Sequence, residues 1–164
     1  MSPTPTPSTV NPDAVSIDAI IKALYESISG PAGAPRQWER DRALYAPGAL
    51  LIPMRPPTPG MGAAAAEILD FDGYVKSRTP FFAANSFYEV EIARREFHFG
   101  AMAHVLSVYE GREAPNGKIL KRGINSIQLY NDGQRWWVAS IMWDNERDGV
   151  TLPAEFSQPS SRGA

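Results

Sequence analysis

Residues 87–146 decide the fold: FYEVEIARREFHFGAMAHVLSVYEGREAPNGKILKRGINSIQLYNDGQRWWVASIMWDNE. Four runs of alternating apolar and polar residues follow one another with only short turns between them, which reads as an antiparallel meander. Asp132-Gly133 is a hairpin signal, and closing it as a two-residue turn pairs Leu129 with Trp136, Ile127 with Val138 and Asn125 with Ser140. A turn around Pro115-Asn116-Gly117 then brings Met102, His104, Leu106, Val108 and Glu110 onto that same face. A three-residue loop at Gly100 adds Val90, Ile92, Arg94 and His98. The opposite face carries Tyr109, Ile124, Trp137, Ile141 and Trp143. Bulges would flip parts of this assignment.

The front half is helical and broken by prolines. Asp13 or Ser16 caps a helix whose Ile17, Ile20, Ile21, Leu24, Tyr25 and Ile28 form one apolar stripe, and Gly30-Pro31 stops it. Pro35 opens a shorter second helix through Trp38, Arg42 and Tyr45, ended by Pro47-Gly48. Ala49 to Pro53 is a short strand, and Arg55 to Gly60 is a loop because its prolines remove ladder donors. Asp70 or Asp72 caps a third helix, which Pro80 kinks or ends. The reading is an α+β fold: a cone-shaped, curved antiparallel sheet with three N-terminal helices on its concave face and a pocket between the layers.

Composition narrows the function. With 164 residues and 43% hydrophobic content, one core and one domain are expected. That domain spans 14–147, between a Pro/Thr-rich tail over 1–13 and a C-terminal tail over 148–164. A net charge of −2 with interleaved basic and acidic residues argues against nucleic-acid binding. The absence of cysteine excludes disulfides and thiolate chemistry. The first residues carry no basic and apolar leader, and no apolar run reaches membrane-spanning length, so a cytoplasmic, membrane-free protein is expected.

The order of elements, with Leu44-Tyr45-Ala46-Pro47-Gly48-Ala49 leading into a strand and Gly133-Gln134-Arg135-Trp136-Trp137-Val138 near the end of the meander, resembles the nuclear transport factor 2-like (NTF2-like) superfamily. Its polyketide-cyclase (SnoaL-like) and steroid-isomerase branches are nearest in style, and the resemblance covers residues 15–147. The run Arg122 to Leu129 is similar to one in bacterial members whose function is not assigned. The resemblance implies a cone-shaped α+β domain, a pocket between sheet and helices, and frequent dimerisation through the sheet. The isomerase branch uses a carboxylate at the end of the first strand, with a tyrosine and a protonated acid to stabilise the enolate. Here Leu51-Ile52-Pro53-Met54 holds no carboxylate and Tyr25 is offset, so that mechanism does not carry over.

Candidate site residues follow from the expected faces. Glu110, His104 and Asp144 are the candidate acid–base groups. Tyr45, Tyr74, Leu106, Val108, Asn125, Trp136, Ser140 and Met142 are the expected ligand contacts. Glu96, His98 and His104 are a formal metal-ligand set, but with no thiolate or third nitrogen no metal is expected, and no cofactor is expected either. Arg55 is a candidate for favouring an anion at the mouth. The expected function is binding of an aromatic or polycyclic metabolite; the alternative is cofactor-independent isomerisation, dehydration or cyclisation. A homodimer is expected through Trp137, Ile141 and Trp143, with Tyr109 and Ile124 beside them. The competing account folds Thr151 to Phe156 back over that face.

Overall fold

The computed structural model describes residues 10–60 and 62–156. Most of the expected N-terminal tail and the end of the C-terminal tail lie outside the described residues. Pro12–Ala14 form a 3₁₀ turn, tied down by an ion pair from Arg40 Nε to Asp13 Oδ2 at 2.7 Å. Helix α1 (Ile17–Ile28) begins at Ser16, whose Oγ accepts from the Ala19 amide at 3.1 Å. Its Ile17, Ile20, Ile21 and Leu24 enter the main core.

Helix α2 (Trp38–Arg42) is a short turn that starts after Pro35. Just ahead of it, the buried Arg36 donates to the carbonyls of Gly30, Pro31 and Ala34, locking the α1–α2 connection. Strand β1 (Tyr45–Arg55) follows, longer at both ends than expected. After the two-residue strand β2 (Ala65–Ala66), helix α3 (Phe71–Ala84) is capped by Asp70, which accepts from the Gly73 amide at 2.7 Å. Helix α3 passes through Pro80 rather than ending there.

Strands β3 (Tyr88–Phe99), β4 (Met102–Arg112), β5 (Ile119–Asn131) and β6 (Trp136–Asn145) form the expected meander. The sheet is curved, open and six-stranded, in the order β2-β1-β6-β5-β4-β3. It is mixed rather than wholly antiparallel, because β1 pairs parallel with β6.

Three bulges reset the faces. Near the β4–β5 turn Arg112 pairs with Ile119, the expected parity, but Leu120 is an extra residue and the ladder continues as Ser107 with Asn125 and Val105 with Ile127. The odd positions of β4 therefore face the helices. The β5–β6 hairpin closes with Asn131 opposite Trp136, two residues from the expected register, which preserves the faces up to Leu129 with Val138. An extra residue at Ala139 then flips the rest, so Ile127 pairs with Ile141 and Asn125 with Trp143. A third bulge at Ile92 turns Glu89 and Glu91 inward. A slip of one residue exchanges the faces of a strand, whereas a slip of two leaves them unchanged.

Candidate functional site

Between α1, α2, α3 and the concave face lies a cavity whose mouth is open to solvent. Asp41 is its deepest acid. It sits in α2 three residues after Trp38, so the helical turn puts the two on related faces. It is 1% exposed, and both carboxyl oxygens are buried with no hydrogen-bond partner. Burial, with the charge of Glu89 adding to it, pushes its carboxyl up to about 8. At neutral pH Asp41 is therefore a protonated acid with a free O–H. Tyr45 and Tyr74 line the same cavity, and burial followed by the Asp41 charge raises both phenols.

Glu89 is the second acid. It opens β3 two residues after the buried Phe87, on the same side of the strand. Burial raises its carboxyl to about 7, against the opposing pull of Lys121, the Asn125 hydrogen bond and Arg78. Asn125 Nδ2 donates to Tyr25 Oη at 3.1 Å and reaches Glu89 Oε1 at 3.5 Å. Tyr25 Oη and Ser107 Oγ share a hydrogen bond of 2.7 Å, and Ser107 donates to Glu91 Oε2. These polar groups join into one chain from the cavity to the Glu91–Arg94 ion pair at the rim.

The walls are aromatic. Tyr74 meets Trp143 and Trp38 edge to face, with ring centroids 5.8 and 6.1 Å apart. Phe81, Phe82 and Phe87 pack together toward the mouth. Two cations lie against these rings: Lys121 Nζ is 4.9 Å from the Phe87 centroid, and the Arg78 guanidinium is 5.9 Å from that of Trp143. Burial lowers the Lys121 ammonium, as does Arg78, while Glu89 opposes them.

Of the expected ligand contacts, Tyr45, Tyr74 and Asn125 line this cavity. Trp136 packs against the core beside His98, away from it. The bulges correct the remaining placements. Leu106 and Val108 belong to a second cluster on the outer face, where Leu152 and Phe156 of the C-terminal segment cover them with Ala93 and Ile124. Ser140 pairs with Gln128, and the half-exposed Met142 pairs with Ser126, also outside.

The candidate acid–base groups lie outside as well. His104 Nε2 is 3.0 Å from Ser126 Oγ, on the face opposite His98, so the formal metal set does not converge. Asp144 holds Arg147 Nη1 at 2.6 Å. Glu110 is gripped by Arg112 and Arg122 at 2.6 and 2.9 Å. Burial works to raise Glu110, but its hydrogen bonds to the two arginines outweigh it and leave the carboxyl below its usual range. Of the expected dimer contacts, Ile141, Trp143 and Tyr109 line the cavity, while Trp137 and Ile124 stay outside. Arg55 is engaged by Glu67 on the exposed edge.

Sequence reasoning passed over Asp41, Glu89, Arg78 and Lys121. In Arg40-Asp41-Arg42 the acid reads as part of a solvated charge run. The usable signal was its helical spacing from Trp38, Leu44 and Tyr45, and for Glu89 its strand spacing from Phe87.

No family model matches the chain, and no curated protein does. Solved structures do match. One provisionally named a calcium/calmodulin-dependent protein kinase type II association domain, from Thiobacillus denitrificans, aligns with a TM-score of 0.60 at 13% identity over 84% of this chain and 100% of its own. A Nostoc punctiforme protein of unknown function with a cystatin-like fold aligns with a TM-score of 0.58 at 7% identity over 81% and 95%. A Mycobacterium tuberculosis protein of unknown function aligns with a TM-score of 0.57 at 14% identity over 87% and 74%. Proteins named NTF2-like and others provisionally named ketosteroid isomerases are also among the matches. The fold is the cystatin-like α+β fold of these neighbours. No helix among the described residues is long and apolar enough to cross a membrane.

Proposed function

We propose that the cavity binds a small, largely apolar molecule bearing a carbonyl or similar acceptor and moves a proton on it, with Glu89 as base and Asp41 as hydrogen-bonding acid. One observation carries this reading: two carboxyl groups in a single aromatic-walled cavity bind protons near neutrality, and the deeper one has no partner in the protein. A group that ionises near the working pH suits proton transfer, and a protonated carboxyl aimed into an apolar space suits an oxygen that gains negative charge. A neighbour provisionally named a ketosteroid isomerase, from Parabacteroides distasonis, has this fold at a TM-score of 0.52. The likeness supports the fold, and the proton chemistry rests on this chain's own residues.

The test uses β-tetralone in deuterium oxide. Proton nuclear magnetic resonance should record exchange at the carbon beside the carbonyl above the buffer rate, lost in Glu89→Gln. Tight binding with exchange at the buffer rate would leave a binding domain, for which the Asn125–Tyr25–Ser107 chain merely orients the ligand.

The same proposal extends to a second copy of the chain. Phe97, Met102, Tyr130, Met142 and Leu50 remain exposed on the outer sheet face, beyond the stretch that the C-terminal segment covers. A twofold contact of about 800 Å² per partner would bury these apolar side chains. Sedimentation equilibrium should report a dimer that Tyr130→Asp dissociates; a concentration-independent monomer would refute it.

A further inference from the structure

We propose that the molecule held in this cavity carries a carboxylate, which sits at the mouth between Arg78 and Lys121. The inference rests on the cavity being a ligand site and adds the chemical class of the ligand: an aromatic or alicyclic organic acid.

The first observation is a missing partner. Among the described residues every arginine except Arg78 donates to a carboxylate or carbonyl, as Arg36 does to three carbonyls and Arg122 does to Glu110. Arg78 has no acceptor, and its Nε is buried. A buried guanidinium nitrogen without an acceptor is costly, so its retention at a cavity wall points to an acceptor that arrives with the ligand.

The second observation is local charge. Lys121 and Arg78 both line the cavity, and neither forms a salt bridge among the described residues. Each feels the other's repulsion and the attraction of Glu89. Asp41 contributes little negative charge at neutral pH, so two cations face at most one carboxylate. The mouth keeps at least one uncompensated positive charge.

Geometry favours a carboxylate. The planar guanidinium matches two carboxylate oxygens at once, and the lysine adds a point charge on the same group. Phe81, Phe87 and Trp143 stand against the cations, and such apolar walls strengthen a charge pair beside them. An aromatic body would then lie deeper, among Tyr74, Trp143 and Ile141.

The probes are β-naphthoic acid and its neutral isostere β-naphthamide, titrated calorimetrically into the full-length protein at low salt. The acid should bind about tenfold tighter than the amide, as expected for a partly desolvated charge pair. In Arg78→Met the acid should fall to the affinity of the amide. Amide affinity should change by less than about twofold in that variant, which reports an intact cavity. Lys121→Met should remove part of the preference in the same way. An amide that binds as tightly as the acid, or a preference that survives both variants, would overturn the inference and leave the cavity standing as a ligand site. Binding of neither probe would overturn both.

Discussion

Glu110 and Asp41 are both buried carboxyl groups, 5% and 1% exposed, yet they are held in opposite protonation states. On the outer corner of the sheet, Arg112 and Arg122 grip both oxygens of Glu110 and keep it ionised. In the cavity, Asp41 has no donor at all, and Glu89 has only the long contact from Asn125. Burial is common to both regions, and the supply of donors separates them. A buried acid with two arginines is a structural clamp; one without donors is free to bind a proton near neutral pH.

Exchanging the roles of the two regions should expose the difference. The largest effect is expected in the exchange assay: Glu89→Gln should slow the catalysed deuterium exchange about a thousandfold, whereas Glu110→Gln should stay within about twofold of the parent. If both variants lose exchange equally, the division between clamp and reactive acid fails.

Next in size is the scaffold between the regions. Gly123 lies where a Cβ would press on the Asp144 carbonyl and the Tyr109 ring, and Tyr109 Oη donates to Asn145 Oδ1 at 2.6 Å. Gly123→Ala should cost about 3 kcal/mol in denaturant unfolding, because the clash is with backbone and a packed aromatic. Glu110→Gln should cost about 2 kcal/mol by the same measurement, reduced by the part-exposed arginines it leaves behind.

The smallest effect is a pH slope of opposite sign to that of the clamp. The folded states of Asp41 and Glu89 hold protons up to about 8 and about 7, while the unfolded chain releases them in the ordinary carboxylate range. The native state therefore binds more protons across that window, and stability contributed at low pH is lost as pH rises through these values. Glu110, with its lowered value, contributes stability present at neutral pH and lost in acid. Asp41→Asn should flatten the decline between the ordinary carboxylate range and about pH 8, and above that window be more stable than the parent by about 1 kcal/mol. A variant with an unchanged slope would show that Asp41 ionises normally.

These contrasts also show how much could be read from the sequence. Regular periods and caps were legible: the Ile17–Leu24 stripe behind Ser16, the Asp70 cap, and the alternation of the meander. The faces were not legible, because Leu120, Ala139 and Ile92 each insert one unpaired residue into a strand whose composition gives no sign of it. Asn125, Ile127, Leu129 and Val138 kept their expected side. Those beyond a bulge changed sides, and Trp143, expected at a dimer contact, became cavity wall. The buried acids of the cavity were hidden for a second reason: Asp41 stands between two arginines in sequence, and the turn of α2 carries it away from them into the core.

The central claim is that burial in the cavity makes Asp41 and Glu89 ionise near neutrality, Asp41 with no donor and Glu89 with only the long contact from Asn125. Carbon nuclear magnetic resonance titration of the aspartate and glutamate carboxyl groups tests it directly, with the Asp41→Asn and Glu89→Gln proteins assigning the signals. The account predicts that Asp41 titrates near 8 and Glu89 near 7, with Glu110 remaining ionised into the acid range. Midpoints for Asp41 and Glu89 in the ordinary carboxylate range, near about 4, would contradict it.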